Sequence, residues 1–94
     1  MKKKKPVREF YVLIQPFERY DTIYFCNRDV VTKSGRVKKP YFLEGPTGNA
    51  EHTFEEAQIT VNFLKSAYSG RPYKTVSKVQ VSNKPIAELI KEDE

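Results

Sequence analysis

Cysteine and histidine are nearly missing from this chain, and each shortage removes a class of function. A lone cysteine, Cys26, has no partner for an internal disulfide and no companions for a multi-cysteine zinc site. A lone histidine, His52, excludes a histidine pair or a histidine-based metal cluster. The ligand spacings of zinc, calcium and magnesium sites are missing as well, so neither a metal nor a cofactor is expected. Long apolar runs are also lacking. Spanning a bilayer takes roughly 20 apolar residues, and Phe10 to Ile14 supplies only a short stretch. That stretch is too short for the core of a signal peptide, and no small-residue cleavage site follows it. These absences fit a reducing compartment. The expected setting is the cytoplasm of a bacterium or of a phage-infected cell, with no membrane partner.

What is present is enough for one domain. The chain has 94 residues, 38% of them hydrophobic and 13% aromatic, which suffices for a single core without covalent staples. The formal net charge is +5, and the isoelectric point is about 9.4. Lys2 to Lys5 contribute +4 and the stretch from Lys91 to Glu94 contributes −2, which leaves +3 on the body. The expected organisation is a disordered basic arm over 1–6, an α+β domain over 7–90 and an acidic tail over 91–94.

The most informative local signal is His52-Thr53-Phe54-Glu55-Glu56-Ala57. Thr53 followed three residues later by Glu56 is a capping box, in which each side chain accepts from the other residue's backbone N–H. Glu55 and Glu56 also complement the positive end of a helix dipole. Phe54, Ala57, Val61, Leu64 and Tyr68 then recur at three- and four-residue steps, widened by Phe63 and Ala67. Gly70 and Pro72 stop the pattern, so a helix is expected over about 54–68.

The rest of the chain reads as sheet. Arg8 to Gln15 is β-branched and aromatic with no polar interruption between Phe10 and Ile14, the pattern of a central strand buried on both faces. Thr22 to Asn27 is a second strand. Val30 to Lys38 reads as a hairpin around Ser34-Gly35, and Tyr41 to Glu44 as a short strand or core anchor. Tyr73 to Val81 alternates, with Lys74, Val76, Lys78 and Gln80 on a face expected to be solvated. A short C-terminal helix is expected from Pro85, with Ile86, Leu89 and Ile90 as its apolar side. Strands followed by one packing helix give an α+β fold: an antiparallel sheet of about four strands under one main helix, plus that short helix.

Catalytic signals are weak. Gly45-Pro46-Thr47-Gly48 lacks the Lys-Ser/Thr pair of a phosphate-binding loop, and Asn49-Ala50-Glu51 follows instead. His52 has the position of a surface or cap residue. Cys26 sits in an apolar strand, where cysteine behaves as a small buried hydrophobe. A Cys26–His52 dyad would need a third orienting group that the sequence does not supply, so no catalytic residue is expected.

The binding signal is charge segregation. Arg28, Lys33, Arg36, Lys38 and Lys39 cluster around the expected hairpin with Asp29 as the one acid, and Arg71, Lys74, Lys78 and Lys84 lie in an acid-free stretch. Acids gather instead at Glu44, Glu51, Glu55 and Glu56. If the hairpin and the last strand share an edge, the cations form a stripe suited to phosphate, with Tyr24, Tyr41 and Tyr73 interleaved to stack on unpaired bases. The expected partner is then RNA or single-stranded nucleic acid, because no basic helix is available for a major groove. The competing class is protein binding. Small, cysteine-poor, Lys/Tyr-rich chains resemble in make-up the accessory proteins that phages use to inhibit or redirect host proteins, and an exposed strand edge would then be the interface.

Overall fold

The computed structural model of the chain describes residues 7–17, 22–30 and 39–92. The expected hairpin around Ser34-Gly35, with Lys33, Arg36 and Lys38, and the Lys2–Lys5 arm lie outside the described residues. Four strands, β1 (Phe10–Ile14), β2 (Tyr24–Cys26), β3 (Phe42–Leu43) and β4 (Tyr73–Ser77), form one antiparallel sheet in the order β3-β2-β1-β4. Among the described residues three α-helices accompany it: α1 (Phe54–Ala67), α2 (Lys78–Asn83) and α3 (Ile86–Glu92). The fold is the expected α+β arrangement. α1 carries the chain from the β3 side of the sheet back across it, so that β4 can pair with β1.

Each element follows from its sequence. At α1, Glu56 N–H donates to Thr53 Oγ1 at 3.1 Å and Thr53 N–H donates to Glu56 Oε1 at 2.8 Å, completing the capping box. Arg8 strengthens the same corner with a forked pair to Glu56, at 3.1 and 3.2 Å. Beyond the helix, Gly70 takes φ 86°, a left-handed conformation that L side chains resist, and the chain turns into β4. The helix buries Ala57, Thr60 and Leu64. Its contact stripe is therefore rotated from the expected one: Thr60 lies inside, whereas Phe54 is 56% exposed, tilted onto Phe10 at 5.6 Å.

β1 reads as continuously apolar because both faces of the sheet are covered. Val12 and Ile14 face α1, together with Cys26, Val30, Ala57 and Leu64. Tyr11 and Leu13 face the other way, against Phe25, Val76, Ala50 and the Leu89–Ile90 end of α3. Two parts of the expected last strand need correction. The strand ends at Ser77, because Ser77 and Gln80 form a second capping box that starts α2. The face thought to be solvated is the one covered by α3: Val76 is buried, and Lys74 Nζ donates to the Leu89 carbonyl at 2.7 Å.

Candidate binding surface

Among the described residues, the cations of the expected stripe do not lie along one edge. β2 and β3, which flank the basic hairpin segment, lie at the opposite end of the sheet from β4. Arg28 and Lys39 follow and precede those strands, while Arg71, Lys74 and Lys78 belong to the β4 end.

Several of these cations are also committed inside the fold. Arg28 leaves β2 and donates from Nη1 to the carbonyls of Gly48 and Glu51, the latter at 3.3 Å, while its backbone N–H donates to the Asn49 carbonyl at 2.9 Å. It thereby ties down the short 3-10 turn Gly48–Ala50. Lys78 pairs with the Glu51 carboxylate at 2.7 Å, and that hydrogen bond raises its pKa above the ordinary lysine value. Lys74 holds α3 through Leu89. Lys39 is exposed, and Arg71 is half-buried in the connection between α1 and β4.

The tyrosines divide in the same way. Tyr24 packs among Phe17 and Phe42, with ring centroids 6.5 and 6.3 Å away. Tyr41 is 63% exposed just before β3, and its backbone N–H donates to the buried Asn27 side chain. Tyr73 is half-buried on the α1 side of β4. Among the described residues of the predicted site, Tyr73 and Lys74 come together at one surface feature.

That feature is a groove between α1 and the outer side of β4. One part, of about 440 Å³, is lined by Val61, Lys65, Tyr73, Lys74 and Thr75. The adjoining part, of about 420 Å³, runs along Phe54, Gln58, Val61 and Asn62 back to Lys65 and Thr75. No acid lines either part. Gln58, Lys65 and Thr75 were not singled out from sequence, and Val61 was read only as part of the helix's core stripe. The helical spacing of Gln58, Val61 and Lys65 was visible, but that β4 is an edge strand among the described residues depends on strand order.

The two residues best suited to chemistry are withdrawn from it. His52, expected at the surface, is fully buried, because its backbone pairs with Phe10 in both directions and draws the ring under α1. Its Nδ1–H donates to the Ala50 carbonyl at 2.7 Å, so Nε2 accepts from the Thr60 hydroxyl at 3.1 Å. Neither ring nitrogen is left for a thiol. Burial lowers the His52 pKa and keeps the ring neutral. Cys26 is buried, and burial pushes its thiol up to about 12. Among the described residues no group of three His, Cys, Asp or Glu side chains is placed to hold a metal ion, and no helix is long and apolar enough to cross a membrane. The chain matches no protein-family model, no curated protein and no solved structure.

Proposed function

We propose that the chain is a small binding protein without a catalytic centre, and that its partner is another protein, which it inhibits or redirects by docking. The observation that carries this reading is the use of the cations. Arg28, Lys74 and Lys78 spend their charged ends on Gly48, Glu51 and Leu89, as internal fasteners rather than as a phosphate-binding stripe. Neighbouring outward-facing apolar side chains support the same reading: Val7 and Phe54 are both exposed and line one hollow at the start of α1, and such grouped apolar surface suits a protein interface.

A second reading keeps RNA or single-stranded nucleic acid as the partner. It is favoured by exposed Lys39 and Tyr41, which border the basic 33–38 segment. Salt separates the two. The protein is purified from its native cell with nuclease treatment, the retained partner is identified, and the complex is rebuilt from pure components. The expected result is a protein whose affinity changes little between low and moderate salt. Binding of a single strand through six or more phosphate contacts would instead weaken by about 300-fold or more between 50 and 200 mM salt. A nuclease-sensitive partner with that steep dependence overturns the protein-binding reading.

A further inference from the structure

We propose that the outer edge of β4 receives an extended polypeptide segment as a fifth strand, and that the segment carries an acidic side chain that meets Lys65. The inference rests on the protein-binding reading and specifies its site. The direction of the backbone groups on β4 carries it. Gln15 N–H donates to the Pro72 carbonyl at 3.1 Å, and Lys78 N–H donates to the Glu9 carbonyl at 2.9 Å. With the register Leu13↔Lys74 and Tyr11↔Val76, those bonds make 13/74 and 11/76 the hydrogen-bonded pairs. The backbone groups of Lys74 and Val76 therefore point inward to β1. Those of Tyr73 and Thr75 point outward, where no strand pairs with β4 among the described residues.

The groove beside this edge states the chemistry of its occupant. Side chains of an added strand alternate between faces, so every second one falls on the α1 side. There it meets an apolar floor at Val61 and, at the rim, Lys65, which is exposed and forms no ion pair among the described residues. With no acid in the lining, the groove favours an apolar residue accompanied by aspartate or glutamate. A second copy of this chain fits poorly. Two β4 edges pairing about a two-fold axis would bring two such cationic rims together on a chain of net charge +5.

The test uses two short, end-blocked peptides of alternating threonine and valine, one with a central glutamate and one with lysine in its place. Each is titrated into the full chain while backbone amide shifts are followed by NMR. The glutamate peptide is expected to shift Tyr73, Thr75, Val61 and Lys65 and to bind about fivefold more tightly than its lysine twin. Thr75→Pro removes an outward N–H that β1 does not use, and proline is tolerated at such an edge position, so it should weaken binding by about tenfold or more. Lys65→Glu, at an exposed helix position, should reverse the peptide preference even if the proline variant folds poorly. Both variants are also assayed against the purified native partner. Equal binding of the two peptides, shifts that map elsewhere, or unchanged binding by both variants overturns the strand-addition site. Protein binding itself stands or falls on the salt experiment, so the two failures are told apart. A dimer abolished by Thr75→Pro, or the same amide shifts produced by mixed RNA, also overturns the proposal by naming a different occupant.

Discussion

Arg28 separates a structural cation from a ligand-binding one, and its replacement by alanine is the sharpest test of how this surface is built. The guanidinium donates to two backbone carbonyls of the 48–51 segment. That segment carries Ala50 into the core, the Ala50 carbonyl that holds His52, and the Glu51 carboxylate that anchors Lys78. Hydrogen bonds from a charged donor contribute about 1.5–3 kcal/mol each. Arg28 is only half-buried and one nitrogen serves both carbonyls, so the low end applies, about 2 kcal/mol for the whole contact. For a domain of this size each 1 kcal/mol moves the melting temperature by about 4–8 °C, so Arg28→Ala should melt about 8–16 °C lower. Arg28→Lys should recover only part of this, because an ammonium on a shorter reach cannot reproduce the guanidinium geometry. Circular dichroism melts and urea titrations at two salt concentrations are sufficient. If Arg28→Ala melts with the wild type while its binding to nucleic acid collapses, the guanidinium serves a ligand and the reasoning above is wrong.

Other perturbations test the frame around the site. Leu64→Ala empties a fully buried position between α1 and β1 and should cost about 2–5 kcal/mol in urea unfolding, while Thr53→Ala breaks the capping box and should cost about 1 kcal/mol; a neutral Leu64→Ala would mean that α1 packs differently. Native Cys26 should react with a thiol reagent far more slowly than in the denatured chain, because its thiol is buried and its pKa is raised to about 12; fast labelling with loss of binding would contradict this. His52 makes stability depend on pH. Its folded pKa lies below the ordinary 6.5, so the unfolded chain takes up a proton first as the pH falls. The His52 contribution to stability should therefore be flat above about 6.5 and decline below it, by at most about 1.4 kcal/mol per pH unit until the folded pKa is reached. His52→Gln should remove that decline while lowering stability throughout, and an unaltered pH profile in the variant would exclude His52 as its source.

The fold was legible wherever local chemistry decides it. The Thr53/Glu56 box, the Gly70–Pro72 stop and the uninterrupted Phe10–Ile14 run each depend on neighbours in sequence, and each is found where the residues indicate. The Ser77/Gln80 box was equally local and was masked by an alternating pattern that continues through it. Val79 and Val81 keep strand-like spacing, but the Ser77 and Gln80 side chains supply acceptors for two backbone N–H groups that another rung of strand at a sheet edge would leave unpaired. His52 was misread for a different reason. Polar residues before a helix usually face water, and nothing nearby in sequence says that Phe10, some forty residues earlier, bonds its backbone in both directions.

The candidate site was less legible because it is defined by which groups are left over. A lysine count cannot tell Lys65 from Lys74: both are solitary cations beside apolar residues, yet one reaches the Leu89 carbonyl and the other ends in an acid-free groove. The distinction depends on α3 closing over one face of β4 while α1 leaves room beside the other. The open backbone groups of Tyr73 and Thr75 depend in turn on the sheet order, which places β1 on one side of β4 and no described strand on the other. Charge segregation along the sequence drew attention to 71–78 through Lys74 and Lys78, whose charged ends reach the Leu89 carbonyl and the Glu51 carboxylate. What the same segment leaves open on its outer edge, and what the proposed strand addition would use, is the main chain of Tyr73 and Thr75.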